Sequence, residues 1–200
     1  MRSLVVIEFL SLDGVMQAPG APDEDTDGGF EHGGWQRPYF DDVLGQTAAE
    51  GMAGTDAYLF GRRTYEIMAS YWPTAPADDP FAGHLNDTTK YVASTTLQDA
   101  KWQHTTLLRG DVAEEVARLK EGPGKNIAVL GSGGLVQTLI EHDLVDEYSL
   151  TVSPLLLGGG KRLFRDSGRA RRLSLVDSRP TSTGCLMLTY RPARTATEQR

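Results

Sequence analysis

Hydrophobic positions along the chain alternate between short apolar runs and segments with helical spacing. The short runs are rich in β-branched and aromatic residues and predict eight strands. They lie at Leu4–Leu12, Ala57–Phe60, Lys90–Ala93, Thr105–Leu108, 127–130, Glu147–Val152, Ser174–Asp177 and Leu186–Tyr190. Between the earlier strands, apolar residues recur every three or four positions, which predicts about four helices. These occupy 39–53, a segment that starts at Gly61, Asp111–Glu121 and 135–142.

This order of elements predicts an α/β fold. Strands that alternate with helices pair in parallel, so we expect a mixed, mostly parallel sheet of about eight strands, flanked by helices. No helical pattern separates the last two strands, which therefore predict a C-terminal antiparallel hairpin at one edge. The length of 200 residues suits one domain. We expect a single domain over 1–191 and a flexible tail over 192–200.

A long polar loop interrupts the pattern after the first strand. Residues 17–38, here called the lid loop, contain three prolines, several glycines and five acidic residues. Loops of this length inside compact domains are usually lids, binding loops or disordered segments. Trp35 gives this one an apolar side chain, so we expect it to act as a lid.

The segment Ile127–Ile140 carries the most information about function. A buried strand ends in Gly131-Ser132-Gly133-Gly134, and an apolar helical pattern follows directly. Glycines let a ligand approach the backbone, and the first turn of a helix offers unpaired N–H donors, so this arrangement can hold a phosphate. A plain strand-to-helix turn is the alternative. Val136 stands where a dinucleotide fingerprint requires glycine, and no Gly-Lys-Ser/Thr follows, so the segment is neither a Rossmann turn nor a P-loop.

Two other strand ends share this chemistry. Gly61-Arg62-Arg63-Thr64 follows the second strand and Ser94-Thr95-Thr96 the third. Ligands of open α/β sheets bind at the carboxyl ends of the strands. Arginines, hydroxyls and a glycine turn at one edge suit a ligand with several phosphates. A solvated helix start is the alternative for the arginines, although cations are unfavourable there unless an anion is present.

Composition excludes several classes of protein and site. The formal net charge of −7 argues against binding of nucleic acid or anionic membranes. A single cysteine, Cys185, excludes an intramolecular disulfide, and the four histidines show no metal-ligand spacing, so we expect no metal. No apolar run approaches the ~18 residues of a membrane span. Glu8 interrupts the apolar N-terminus and no cleavage site follows, so we expect a strand rather than a signal peptide, and a cytoplasmic protein.

Several motifs, in their order and spacing, resemble the dihydrofolate reductase superfamily. Within it, the chain is similar to the reductase domain of the bacterial riboflavin-biosynthesis protein, from about residue 3 to about residue 191. The motifs are Ser11-Leu12-Asp13-Gly14, Phe60-Gly61-Arg62-Arg63-Thr64-Tyr65-Glu66, Val92-Ala93-Ser94-Thr95, Leu130-Gly131-Ser132-Gly133-Gly134-Leu135, Val145-Asp146-Glu147-Tyr148 and Pro154–Phe164. The resemblance implies a dihydrofolate reductase-like fold and a homodimer.

The resemblance also implies NADPH as the cofactor. Arg62 would then pair with the ribose 2′-phosphate, helped by Ser94 or Thr95. The pyrophosphate would be held by Gly61, Arg63 and Thr64 at one helix start and by the backbone of Gly131, Ser132, Gly133 and Gly134 at another. An arginine beside hydroxyls is also what discrimination of NADP from NAD requires.

The substrate side of the resemblance implies a flat heterocycle. Family reductases often carry a carboxylate on the helix after the first long loop, where this chain has Asp41, Asp42 and Glu50. Asp42 and Asp13 are the candidate catalytic residues. The alternative is helix N-terminal charge for Asp41 and Asp42, and a turn residue for Asp13. None of the helix carboxylates falls at the family's expected place, which argues against folate reduction.

A basic cluster and two functional hypotheses stay open. Residues 161–172 carry six basic side chains, which would bind a substrate phosphate or form a solvated surface. The first hypothesis is an NADPH-dependent reductase of a pteridine-like or aminopyrimidine ring. The second is an NADPH-binding sensor or interaction domain without turnover.

Overall fold

The computed structural model describes residues 1–76, 78–165 and 169–193. Within these residues the chain forms eight strands and five α-helices. The strands are β1 (Leu4–Ser11), β2 (Thr55–Gly61), β3 (Thr89–Ala93), β4 (Thr105–Leu108), β5 (Asn126–Leu130), β6 (Glu147–Ser153), β7 (Leu173–Pro180) and β8 (Leu186–Pro192). The helices are α1 (Asp42–Ala53), α2 (Arg62–Tyr71), α3 (Ala82–Asp87), α4 (Val112–Glu121) and α5 (Gly133–Glu141). The predicted tail falls almost entirely on 194–200, outside the described residues.

All eight strands form one sheet in the order β4-β3-β2-β5-β1-β6-β8-β7. The six strands from β4 to β6 pair in parallel. Strand β8 is antiparallel to both β6 and β7. This confirms the predicted mixed sheet and its C-terminal antiparallel hairpin at one edge. The parallel pairing brings the carboxyl ends of β1, β2, β3 and β5 to the same edge of the sheet, where the sequence predicts ligand binding.

Alternating side chains of the central strands fill two apolar layers. On β2, Ala57 and Leu59 belong to the layer covered by α4 and α5, which also contains Val116 and Leu139. Tyr58 and Phe60 point into the other layer, where Tyr65 of α2 packs. Burial of both faces explains why these strands are nearly continuous apolar runs.

The sequence pattern does not predict α3, because six residues that include Gly83 give no helical period. Its C-terminal carbonyls are satisfied by Lys90, which is completely buried in β3. The ammonium donates to the carbonyl oxygens of Leu85 at 2.8 Å, Asn86 at 3.0 Å and Thr88 at 2.6 Å. Burial lowers the pKa of Lys90 to about 8. This lysine stabilises a helix end and is not free for chemistry.

The lid loop is packed onto the sheet edge. Val15, Ala18, Phe30 and Trp35 form a separate buried cluster. The Trp35 indole donates to the carbonyl oxygen of Gln17 at 2.7 Å. In the described part of the chain, no helix is long and apolar enough to cross a membrane.

Candidate functional site

The helix starts of the fold differ in how their backbone donors are satisfied. The N-cap residue of α1 is Asp41, whose carboxylate accepts from the Leu44 N–H at 2.9 Å. The N-cap residue of α4 is Asp111, which accepts in the same way from the Glu114 N–H at 3.0 Å. Helices α2 and α5 have no side-chain cap and no acidic residue in their first turn. Their free N–H groups and partial positive charge suit an anion from outside the chain.

The two uncapped helix starts adjoin each other. The Gly61 N–H, at the start of α2, donates to Ser132 Oγ at 2.9 Å, at the start of α5. Gly131 has φ +57°, and a Cβ there would lie 3.1 Å from the Thr64 side chain. Ser132 takes the left-handed conformation, with φ 67°. The Ser132 side chain therefore joins the ends of β2 and β5, and the starts of α2 and α5 lie side by side.

The two glycines at the start of α5 have different surroundings. A Cβ on Gly133 would lie 2.7 Å from Sδ of the partly buried Met16, so that side chain would have to shift. A Cβ on Gly134 would meet nothing within 4 Å. Gly134 is thus the position with open space for a ligand at the first turn, whereas Gly133 faces Met16. Since the donors are backbone N–H groups with open space beside them, this cradle fits a pyrophosphate.

A cleft of about 320 Å³ opens beside the α2 start. It is lined by Arg62, Ala93, Ser94, Thr95, Thr96, Leu108, Gly110 and Val112. The structure thus brings together the arginine and the hydroxyl residues that the sequence placed at two separate strand ends. The cleft joins the α2 start to the ends of β3 and β4.

Not every hydroxyl in the cleft is free. Ser94 is buried, and its Oγ accepts from the Leu97 N–H at 2.9 Å. It stabilises the turn after β3, whereas Thr95 is exposed in the cleft. Arg62 forms an exposed ion pair with Glu66 one helical turn away, at 3.0 Å. Such pairs are weak, so a phosphate can replace the Glu66 carboxylate.

Arg63 contacts the lid loop. Its Nη1 lies 2.6 Å from Asp27 Oδ2, and the same oxygen lies 2.9 Å from Lys161 Nζ. Hydrogen bonds from Arg63 and Lys161 lower the pKa of Asp27 to about 2, so this aspartate is ionised at neutral pH. A second cleft, of about 530 Å³, lies between the lid residues 27–32 and the segment 157–161.

Asp13 is bound by neighbouring groups at the end of β1. Its carboxylate accepts from Ser11 Oγ at 2.6 Å, the Leu157 N–H at 3.1 Å and the Gly158 N–H at 2.9 Å. The hydrogen bond from Ser11 is the largest of the causes that lower the pKa of Asp13 to about 2. An acid of this kind remains an anion at neutral pH and is a poor proton donor. It connects the first strand to the loop after β6.

The carboxylates of α1 lie against the β7–β8 turn. Besides capping α1, Asp41 accepts from the Ser182 N–H at 2.8 Å and the Ser182 hydroxyl at 2.6 Å. These bonds, first of all that from the Ser182 hydroxyl, lower the pKa of Asp41. Asp42, the first residue of α1, is exposed. Asp41 therefore has the structural role at the helix N-terminus that was the alternative to a catalytic role. The catalytic role of Asp42 stays a prediction.

Sequence reasoning missed Glu8, which is buried at 5% exposure in the middle of β1. Its Oε1 is buried with no hydrogen-bond partner. Burial, and to a smaller extent the Glu24 charge, raise the pKa of Glu8 well above its ordinary value. The signal was present, since Glu8 is the one acidic residue in an otherwise apolar N-terminal run.

The basic cluster of 161–172 forms ion pairs within the chain where it is described. Arg169 and Arg171 both contact Asp143, and Arg162 contacts Asp13. Residues 166–168 lie outside the described residues. Among the described residues, no group of three or more His, Cys, Asp or Glu side chains is arranged to hold a metal ion.

Comparison with known proteins identifies the family. The sequence profile of the RibD C-terminal domain matches residues 2–187. The chain belongs to the RibD C-terminal domain family. The protein YyaP of Bacillus subtilis strain 168 is 33% identical over 140 residues, which cover 68% of this chain and 73% of YyaP. Because the RibD C-terminal domain is a reductase domain, membership favours an oxidoreductase over a binding domain without turnover.

Solved structures show the same fold. A proposed riboflavin biosynthesis protein from Shewanella sp. PV-4 superimposes with a TM-score of 0.69 at 23% identity, over 96% of this chain and 99% of that one. A diaminohydroxyphosphoribosylaminopyrimidine deaminase/5-amino-6-(5-phosphoribosylamino)uracil reductase from Thermotoga maritima gives 0.63 at 15% identity. That match covers 96% of this chain and 57% of the bifunctional protein. The dihydrofolate reductase-like architecture predicted for the RibD C-terminal domain is therefore confirmed.

Proposed function

We propose that this RibD C-terminal domain is an NADPH-dependent reductase of a flat heterocycle, similar to the 5-amino-6-(5-phosphoribosylamino)uracil reductase among its structural relatives. The observation that carries the proposal is the pair of adjoining, uncapped helix starts of α2 and α5 beside the Arg62 cleft. Helix α3 also lacks an N-cap hydrogen bond, but Asp79 accepts from the Phe81 and Ala82 N–H groups at its start, so among the described α-helices only α2 and α5 start without an acidic side chain on their N–H groups.

Each part of the cofactor has a matching group in this arrangement. The pyrophosphate would be held by the N–H groups at the starts of α2 and α5, with Gly134 giving access. The 2′-phosphate would be held by Arg62 and Thr95 in the cleft. Ser94 and Ser132 would act indirectly, because their hydroxyls stabilise the turn after β3 and the contact between β2 and β5.

Bound NADPH supplies a hydride, and the chain would supply orientation and protection from water. The lid loop is the first long segment after β1 and covers the carboxyl-end edge of the sheet through the Trp35 cluster. Exclusion of water and a fixed approach of the two rings both favour hydride transfer. As an anion, Asp13 would position the loop after β6, and Asp42 remains the candidate for the proton.

A homodimer and a cytoplasmic location belong to the same proposal. The edge strand β7 is exposed along all eight residues and carries apolar side chains at Leu173, Leu175 and Val176. Exposed apolar edge strands in native proteins are usually covered by a partner. We expect light scattering to give twice the chain mass, and Leu175→Lys to give the monomer. A wild-type monomer at micromolar concentration would contradict the dimer.

The reductase proposal is tested by following NADPH absorbance with pterins, dihydrofolate and aminopyrimidine ribotides as substrates. We expect oxidation of NADPH with an aminopyrimidine ribotide and none with dihydrofolate. If NADPH binds and no compound in the set oxidises it, the reductase proposal fails and a binding domain without turnover takes its place.

A further inference from the structure

The lid loop and the proposed cofactor site share one side chain. Arg63, in the first turn of α2, is expected to meet the pyrophosphate, yet its guanidinium pairs with the lid residue Asp27 at 2.6 Å. The two residues are 36 positions apart, so the pair links α2 to a separate segment. A carboxylate from the lid loop is thus paired with an arginine in the first turn of α2, which has no acidic residue of its own.

The remainder of this lid segment is anchored elsewhere. Lys161 pairs with Asp25 at 2.7 Å and with Asp27 at 2.9 Å. The Gln17 amide donates to the carbonyl oxygens of Asp25 at 3.1 Å and of Asp27 at 2.9 Å. These contacts would hold the base of the lid if Asp27 left Arg63. Gly28 and Gly29 follow directly with φ +69° and +74°, in a conformation that glycine adopts readily, so the chain can turn there.

The Asp27–Arg63 pair is weak enough to exchange. Asp27 is 49% exposed and Arg63 is 59% exposed, and exposed pairs contribute little. A pyrophosphate at the α2 start would place a second, more highly charged anion against the same guanidinium. It would also gain the N–H donors of α5, which Asp27 does not use. The two anions repel each other, which favours release of Asp27 when the pyrophosphate binds.

We propose that Asp27 is an internal competitor for the cofactor's pyrophosphate, and that cofactor binding at Arg63 releases the lid from α2. This inference rests on the proposed function, because it takes the α2 and α5 starts as the pyrophosphate site. Release of Asp27 from α2 and cofactor binding are then one coupled event, while the Trp35 cluster and the Lys161–Asp25 pair keep the rest of the lid on the sheet edge.

The experiment compares Asp27→Asn with Asp25→Asn by calorimetric titration of NADP⁺. Both variants remove one negative charge from the same lid segment, and only Asp27 contacts Arg63. We expect Asp27→Asn to bind NADP⁺ about two- to fivefold more tightly than the wild type, because the competing charge is gone. Asp25→Asn should bind like the wild type. The difference in NADP⁺ affinity between Asp27→Asn and the wild type should become smaller in high salt, which screens exposed charges.

Hydrogen exchange gives a readout that does not depend on affinity. Without ligand, Asp27→Asn should exchange faster than the wild type at residues 27–30. In the wild type, NADP⁺ should speed exchange at 27–30 and slow it at the first turns of α2 and α5. If NADP⁺ binds the wild type and both variants equally, Asp27 is not a competitor and the proposed function stands. If Asp27→Asn binds more weakly and NADP⁺ protects 27–30, Asp27 closes the lid over the cofactor instead, which overturns the proposal. If the wild type binds no NADP⁺, the proposed function fails as well.

Discussion

Gly134→Asp separates a ligand site from a plain structural turn at the start of α5. A Cβ at this position meets nothing within 4 Å, so the new side chain fits without rearrangement. An acidic residue in an uncapped first turn stabilises the helix by about 0.3–1 kcal/mol. The folded protein should therefore be as stable as the wild type or slightly more stable. This is the opposite of what a damaged turn would show.

The carboxylate introduced by Gly134→Asp should weaken the binding of an anionic ligand. It would lie roughly 5 Å from a pyrophosphate held by the first-turn N–H groups, where partial screening leaves about 1.5 kcal/mol per pair of unit charges. Two phosphate charges give about 3 kcal/mol, which corresponds to a loss of affinity of roughly 150-fold. Gly134→Asn has nearly the same size and no charge, and is the matched control.

The assay is a calorimetric titration of NADPH into the wild type, Gly134→Asp and Gly134→Asn, with urea unfolding of each protein. We expect Gly134→Asn to lose much less NADPH affinity than Gly134→Asp. The difference in affinity between the two variants should become smaller as the salt concentration rises, because salt screens the charge repulsion. Affinities of both variants equal to that of the wild type would show that no anion binds at α5. The reasoning from the uncapped helix start would then be wrong.

Three further changes test other parts of the structure. Arg62→Ala should weaken NADPH binding by about ten- to a hundredfold and leave NADH binding nearly unchanged, because one charge-assisted contact to the 2′-phosphate is lost. Glu66→Gln, which frees Arg62 of its ion pair, should not weaken NADPH binding. If Arg62→Ala lost affinity for both cofactors equally, the assignment of Arg62 to the 2′-phosphate would be contradicted. Glu8→Gln should remove a pH dependence of the free energy of unfolding. In the unfolded chain the Glu8 carboxyl ionises above about pH 4.3, whereas the buried carboxyl of the folded protein keeps its proton. The free energy of unfolding of the wild type should therefore fall by about 1.4 kcal/mol per pH unit relative to the variant, up to the raised pKa of Glu8. Urea unfolding between pH 5 and pH 7 measures this difference, and parallel profiles would exclude a buried, protonated Glu8. Replacing residues 20–32 by a short glycine linker should leave NADPH affinity within a few-fold and sharply reduce turnover, and unchanged turnover would rule out a lid.

Local signals explain why much of the fold is predictable from the sequence. Both β2 and β5 are apolar runs with a helix start directly behind them, so their parallel pairing and shared edge follow from general rules. The glycine turn after β5 and the two arginines after Gly61 are also visible in the sequence. These features pointed to the α2 and α5 helix starts before any contact was known.

Contacts between distant segments account for what the sequence does not show. The difference between Gly133 and Gly134 depends on Met16, which packs beside only one of them. The Asp27–Arg63 pair joins residues that no period or spacing relates. The pKa of Asp13 is lowered first by the hydrogen bond from the nearby Ser11 and further by the N–H groups of Leu157 and Gly158, so part of the shift depends on the distant loop after β6. Side-chain roles at the site are therefore set by tertiary packing rather than by local pattern.

The most direct test of the central claim is a ³¹P NMR titration of NADP⁺ with the wild-type protein. The spectrum resolves the 2′-phosphate from the pyrophosphate, so it reports separately on the Arg62 cleft and on the α2 and α5 helix starts. We expect both sets of signals to shift or broaden on binding. In Arg62→Ala the 2′-phosphate signal should stay close to that of the free cofactor, while the pyrophosphate still responds at saturating concentration. An unchanged spectrum with the wild type, or a response confined to the 2′-phosphate, would contradict a pyrophosphate site between the two helices.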